Sequence, residues 1–215
     1  MGRPQEQRQE TRPKSGRERT TAAVLDAAMQ LFSRRGYAAV TVREIAAEAG
    51  VSHALVHRYL GTKEEIYRAT LRRHESAIRD VAPAGADLLE ATGLMLREAV
   101  GRQSVYLRLL AHSALHGLAY ERTSGRFAAT ERLVVMAEAL AASEGDRRDG
   151  DAPDPRFVIA SLVAMLLGWA AARDWVLPAA GLGDMEEDEF VRAFEKVALD
   201  LERLYFPTLR SGSDG

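Results

Sequence analysis

After Ser15, apolar positions recur at helical spacing almost throughout the chain, and no run of alternating β-branched residues interrupts them. The pattern predicts an all-α protein. The first helix opens at Ser15, whose spacing to Glu18 is that of a capping box: the serine hydroxyl accepts the N–H three residues on, and the glutamate reaches back to the serine's own N–H. Val24, Ala28, Leu31 and Phe32 then share one face, followed by Arg34, Arg35 and a terminating Gly36. The same box recurs from Thr41 to Glu44 and from Thr62 to Glu65, so helix starts in the first third are set by one local device. Farther on, breaks are expected at Pro83 to Gly85, around Gly101, between Tyr120 and Gly125, from Ser143 to Pro155 and from Pro178 to Gly183. They leave helices of bundle length, about nine in total. Ser143 to Pro155, rich in Gly, Asp and Pro, reads as a mobile loop, and Ser211 to Gly215 as a frayed tail.

Between Val42 and Leu60 the pattern gives two short helices separated by Gly50 and Val51. Small Ala46, Ala47 and Ala49 permit a close helix crossing, Gly50 suits the left-handed conformation that ends the first helix, and Ser52 caps the second. Ile45, Val51, Val56 and Leu60 fill a small core. His53, Ala54, His57 and Arg58 remain outward, a short polar face of the kind that enters a DNA major groove. Leu55 either completes the core or touches a thymine methyl.

This run, from Thr41 through Val51 and Ser52 to the sequence Gly61-Thr62-Lys63-Glu64-Glu65-Ile66, resembles the amino-terminal domain of the tetracycline-repressor (TetR) family of bacterial transcription regulators. The resemblance spans about Ala22 to Leu71 and includes the end of helix one at Phe32, Gly36 and Tyr37. It implies that Thr41, His57 and Lys63 grip phosphates, while Arg43, His53, Ala54 and Arg58 lie nearest base edges; Ser52 and Tyr59 belong to the same surface. Helix starts offer backbone N–H groups to phosphate oxygens, and a bidentate Arg43–guanine contact would give roughly 1 to 3 kcal/mol of discrimination. Two positions depart from the family. His57 stands where tyrosine is usual, a weaker and more pH-dependent phosphate partner, and Leu60 stands where phenylalanine is usual.

In the second part of the chain, Ala160, Ala164, Gly168 and Ala171 form a stripe small enough for another helix to lie close. Phe190, Phe194, Val197, Leu201 and Leu204 repeat at four, three, four and three, a seam that wants a partner before Pro207 stops the helix. The resemblance implies that these last two helices form a four-helix homodimer interface; packing within the chain is the alternative. It also implies a small-molecule pocket within helices four to eight, whose occupancy moves helix four and spreads the two reading heads. Met95, Tyr106, His112, His116, Met165, Trp169 and Arg173 are candidates to line it, each with ordinary packing as its other reading. His112 and His116 have the spacing of a metal pair, but no nearby glutamate completes a motif, so neither metal nor cofactor is expected. The expected division is a flexible basic arm (1–15), a helix-turn-helix domain (16–62), a ligand-binding and dimerisation domain (63–207) and a disordered tail (208–215).

Composition narrows the function. The 215 residues are 47% hydrophobic and 28% charged, without cysteine, which is globular and excludes disulfides and thiolate chemistry. No uninterrupted apolar run reaches the roughly 18 residues of a membrane span, and Met1 to Arg19 lacks the apolar stretch of a secretory signal, so a cytoplasmic location is expected. The net charge of −2 hides an asymmetry: Met1 to His74 carries 14 Lys and Arg against 8 Asp and Glu, a net +6, and the remainder carries −8. The basic part is the one with the helix-turn-helix. Arg3, Arg8, Arg12, Lys14 and Arg17 ahead of or opening helix one either follow phosphates or the minor groove, or form a solubilising tail diluted by Glu6 and Glu10. Neither a phosphate loop nor a supported nucleophile is present, so no enzyme is expected. The expected function is a homodimeric repressor on a palindromic operator, released by a small molecule. An activator or architectural protein with the same head, or a ligand-binding bundle without DNA binding, are the alternatives.

Overall fold

The computed structural model describes residues 15–115, 127–145, 151–206 and 208–209. Among them every regular element is helical: α1 (Gly16–Ala39), α2 (Val42–Glu48), α3 (His53–Leu60), α4 (Lys63–Asp80), α5 (Leu88–Arg97), a π-helical turn (Glu98–Arg102), α6 (Ser104–Leu115), α7 (Ala128–Glu144), α8 (Pro155–Ala179) and α9 (Glu187–Tyr205). The all-α reading and the helix count hold. The first four residues of the expected arm's basic set, the break between Tyr120 and Gly125, the middle of the 143–155 loop, His116 and nearly all of the tail lie outside the described residues.

All three capping boxes are formed. At Ser15 the hydroxyl accepts the Glu18 N–H at 3.2 Å and Glu18 accepts the Ser15 N–H at 2.7 Å. Thr41 with Glu44 and Thr62 with Glu65 repeat the pattern, and each such cap stabilises its helix by about 1 kcal/mol. Two expected breaks take other forms. Gly36 (φ +76°) departs from helical geometry, but a further turn follows it and α1 reaches Ala39. Around Gly101 the chain does not open; the π-helical turn absorbs the extra residue, and the Gln103 N–H returns to the Glu98 carbonyl at 2.9 Å.

The core is continuous from the first helix to the last. α1 lies against α6 and α4 as well as α2, α8 packs on α6 and α7, and α5 packs on α9. Phe32 and Tyr37 of the α1 span meet Tyr67 of α4 with ring centroids 5.3 and 4.9 Å away, both edge to face. At the far end of α4, the Arg132 guanidinium donates to the carbonyls of Arg79, Ala82 and Pro83 at 3.0, 2.7 and 2.5 Å, satisfying orphan acceptors of the helix terminus.

Glu202 of α9 is fully buried. One of its oxygens accepts the Thr92 hydroxyl at 2.6 Å; the other has no partner among the described residues. Burial therefore pushes its pKa from 4.5 up to about 8, against the smaller opposing effect of the Thr92 hydroxyl.

On the opposite side, α8 leaves an apolar face uncovered. Ala160, Ala164, Gly168 and Ala171 are all exposed, and they run between Phe157 and Trp175, which are 67% and 76% exposed. By length and composition this helix could cross a membrane, yet its other face is packed into the bundle. The α9 seam divides. Phe190 and Phe194 turn inward, 5% exposed each, against the Trp169 ring at 5.5 and 6.4 Å. Val197 and Leu204 point outward, 52% and 55% exposed, with Leu201 half-buried between. The reason is angular: the seam lies at the edge of the buried arc, which is completed by Ala198 and Glu202 rather than centred on the 4-3-4-3 positions.

Candidate nucleic-acid interface and bundle cavity

The turn between α2 and α3 depends on Gly50 at φ +66° and on the Val51 N–H bonding to the Ala46 carbonyl at 3.0 Å. Ile45 and Val56 are fully buried beneath it, with Val51 and Leu60 half-buried around them. Ala46 is buried at the crossing, whereas Ala47 faces solvent. That core fixes which side of α3 points out: Ser52, His53, Ala54, His57 and Arg58 are exposed, Leu55 is half-buried, and Tyr59 is half-buried under the Arg17 guanidinium, 5.4 Å from its ring centroid. Arg43 and Arg58 are exposed and have no hydrogen bond or ion pair among the described residues.

The helix starts are partly occupied by their own caps. Thr41's hydroxyl accepts from the Glu44 N–H at 3.3 Å and donates to the Glu44 carboxylate at 2.8 Å. With Arg35 also donating at 2.8 Å, the Glu44 carboxyl is held down at about 2. The capping box thus consumes the N–H groups of Thr41 and Glu44, and those of Val42 and Arg43 remain directed out of the helix end. At α3 the serine cap takes only the Leu55 N–H, at 3.3 Å. Lys63 is tethered: its ammonium donates to the Ala38 carbonyl at 3.2 Å and lies 4.4 Å from the centre of the Tyr37 ring, and partial burial lowers its pKa. It joins the start of α4 to the end of α1.

Within the body, α4 to α8 enclose a cavity of about 280 Å³ whose walls are mainly apolar, among them Met95, Leu107, Leu133 and Leu162. Among the described residues one charged side chain lines it. Glu75, 5% exposed, accepts the Tyr106 hydroxyl at 2.6 Å and the Ala129 N–H at 2.9 Å; burial raises its pKa despite those donors. His74 stacks on Tyr106 at 5.8 Å and shares a 2.5 Å hydrogen bond with Gln103, and burial lowers its pKa. Ser113, also on the cavity wall, donates to the Leu109 carbonyl at 2.7 Å, so the 2.6 Å contact with Tyr67 is donated by the tyrosine. Through Tyr67 the cavity wall touches the aromatic cluster that underlies Lys63.

The candidate pocket residues separate into groups. Met95 and Tyr106 line this cavity. Trp169 and Arg173 line a second one between the π-helical turn, α6, α8 and α9, where Arg173 pairs with Glu187 at 2.5 Å and lies over the Phe190 ring. Met165 is half-buried against the core and lines neither. His112 packs against Gly36, so close that a Cβ there would stand 2.5 Å from its Cε1. Glu75, Thr92 and Ser113 also line the first cavity and are not among the pocket residues that the sequence suggests. A signal existed for Glu75: it falls between Leu71 and Ile78 on the apolar stripe of α4.

Comparison with known proteins agrees with this geometry. Residues 24–70 match the family model described as bacterial regulatory proteins, tetR family. An HTH-type transcriptional repressor of Mycobacterium tuberculosis is 32% identical over 177 residues, covering 81% of this chain and 85% of the repressor. GusR of Salmonella enterica has a similar structure, with a TM-score of 0.65 at 12% identity over 91% of this chain and all of its own. A gamma-butyrolactone receptor, an ArpA-like protein, aligns with a TM-score of 0.55 at 22% identity over 86% of this chain and 98% of the receptor.

Proposed function

The chain belongs to the TetR family of bacterial transcriptional regulators, and from that premise we propose that it is a homodimeric repressor that binds a palindromic operator and releases it when a small molecule enters the bundle cavity. The observation that carries the DNA-binding part is the α3 face: His53, Ala54, His57 and Arg58 stand exposed together, with Arg43 uncommitted nearby. Residues 16–62 form the reading head and 63–207 the body that dimerises and holds the effector. Thr41 and Lys63 bracket the reading face as phosphate contacts, with His57 as a third. Such a protein works in the cytoplasm, where its operator is, and acts by binding, without a catalytic step.

Dimerisation is supported by the uncovered face of α8, with Val197 and Leu204 of α9 beside it. Two heads related by a two-fold axis engage half-sites about one helical turn apart, which supplies the affinity that one short helix lacks. Effector control is supported by the cavity and by the contact from its Ser113 through Tyr67 to Phe32 and Tyr37. The gamma-butyrolactone receptor among the proteins of like fold is a regulator-sized precedent for a small-molecule site.

Footprinting on the DNA flanking its own gene, with gel shifts on the protected sequence, tests the reading; a reporter at that promoter separates repression from activation. Lys63→Ala is expected to weaken binding to all sequences nearly equally and to lower the salt slope by about one, whereas Arg43→Ala should relax discrimination at a single base pair by roughly 1 to 3 kcal/mol. The reverse pattern, measured by competition with mismatched operators, would show that the two roles are misassigned.

A further inference from the structure

We propose that the effector cavity takes an apolar amine: a mostly hydrocarbon molecule whose single protonated nitrogen docks on the Glu75 carboxylate. The inference rests on the reading of this cavity as the effector site and specifies the chemistry that site selects.

The walls supply the hydrocarbon part of the argument. Met95, Leu107, Leu133 and Leu162 come from four different helices and offer no hydrogen bonds, so the bulk of any occupant must be apolar. Glu75 supplies the polar part. A carboxylate has roughly four acceptor positions. The Tyr106 hydroxyl and the Ala129 backbone N–H fill two of them. The others are unfilled among the described residues, and the group lines the cavity.

Among the described residues no cation forms an ion pair with this carboxylate. Two described arginines of this region make their hydrogen bonds elsewhere: Arg79 forks onto Asp80 at 2.7 and 2.9 Å, and Arg132 spends its guanidinium on the carbonyls that end α4. His74 is adjacent, but its ring nitrogen bonds Gln103 and burial favours its neutral form. Glu131, a further charged neighbour among the described residues, is of like sign. Burial works against the charged form of this carboxylate, and an ammonium docked on it would fill an open acceptor position and supply the opposite charge that holds it ionised. An anionic occupant such as a fatty carboxylate would have to place like charges together in a medium of low polarisability. Uncharged alcohols fall between, able to donate one hydrogen bond and no charge.

The position of Glu75 also makes the occupant felt. It bridges α4 to Tyr106 on α6 and to the first turn of α7, so a cation drawn onto it competes for the hydrogen bonds that tie α4 to its neighbours.

The test compares n-octylamine, n-octanol and octanoate, which share a chain and differ in head group, by calorimetric titration into the full-length protein at neutral pH. Octylamine is expected to bind roughly tenfold or more tightly than octanol, and octanoate least. In Glu75→Gln the amine preference should vanish while octanol binding persists; in Tyr106→Phe, which keeps the carboxylate and frees an acceptor, the preference should remain. Equal binding of amine and alcohol by the wild type, or an amine preference that survives in Glu75→Gln, overturns the proposal. If octylamine binds as expected but leaves the operator complex intact, the chemistry of the cavity stands and its role as the effector site falls. If none of the probes binds, both fall.

Discussion

On the proposed homodimer, Gly168→Arg is expected to give a folded monomer and to reduce operator affinity by about a hundredfold or more, because the second head would no longer add its binding to the first. The position is suited to the experiment. A Cβ added at Gly168 meets no other part of the fold within 4 Å, and replacing a mid-helix glycine gains about 1 kcal/mol of helix propensity, so the monomer should fold at least as well as before. The damage is confined to whatever helix lies across the small-residue stripe, where an arginine cannot be accommodated at close approach. Light scattering on the purified variant reads the assembly state, and a gel shift reads the affinity. A variant that remains dimeric with normal operator binding would place the interface elsewhere.

A second large effect concerns pH. Folded protein holds the Glu202 proton up to about pH 8, whereas an unfolded chain releases it near 4.5. Folding therefore takes up a proton between those values. The associated stability is complete below the ordinary carboxylate range, declines as pH rises and levels off above about 8. Between about pH 6 and pH 9 the decline amounts to about 3 kcal/mol, or roughly 6 to 12 °C in melting temperature for a chain of this length. Glu75, whose pKa is also raised, adds a loss of the same sign as pH rises above the ordinary carboxylate range. His74 acts oppositely: its lowered pKa costs stability only as pH falls through the usual histidine range, below most of this window. Glu202→Gln keeps an acceptor for Thr92 and should remove most of the slope. Calorimetric melting at fixed protein concentration checks this, and an equally steep pH dependence in the variant would rule out Glu202 as its source.

Much of the head was legible because its determinants are local. A capping box places both partners within three residues, so Ser15, Thr41 and Thr62 could be read as helix starts without knowing what the helices touch. Gly50 likewise needed only its backbone preference. The outward set His53, Ala54, His57 and Arg58 followed from one helical period once Val56 was assigned inward. The body was harder, because its decisive facts are non-local. Periodicity groups Phe190, Phe194, Val197 and Leu204 on one side of α9, but it does not say which neighbour meets each edge of that side; Trp169 settles it for the two phenylalanines. Charged residues at apolar-stripe positions, Glu75 and Glu202, were passed over because a carboxylate is ordinarily assigned to solvent, and their hydrogen-bond partners lie 31 and 110 residues away. His112 had the composition of a pocket residue and turned out to be a packing partner of α1.

The contact between His112 and Gly36 bears on how such regulators can be recombined. The imidazole occupies the space a Cβ would need, and the backbone at Gly36 has a φ of +76° that disfavours any other residue. Along the same contact, α1 buries Val24, Ala28 and Phe32 in a core shared with the body. Cutting after Leu60 to obtain a free-standing head would strip that cover from α1. Exchanging operator specificity with another regulator should therefore be attempted by transplanting the α3 surface alone; moving the whole head would carry one half of a fitted joint into a body shaped for a different one.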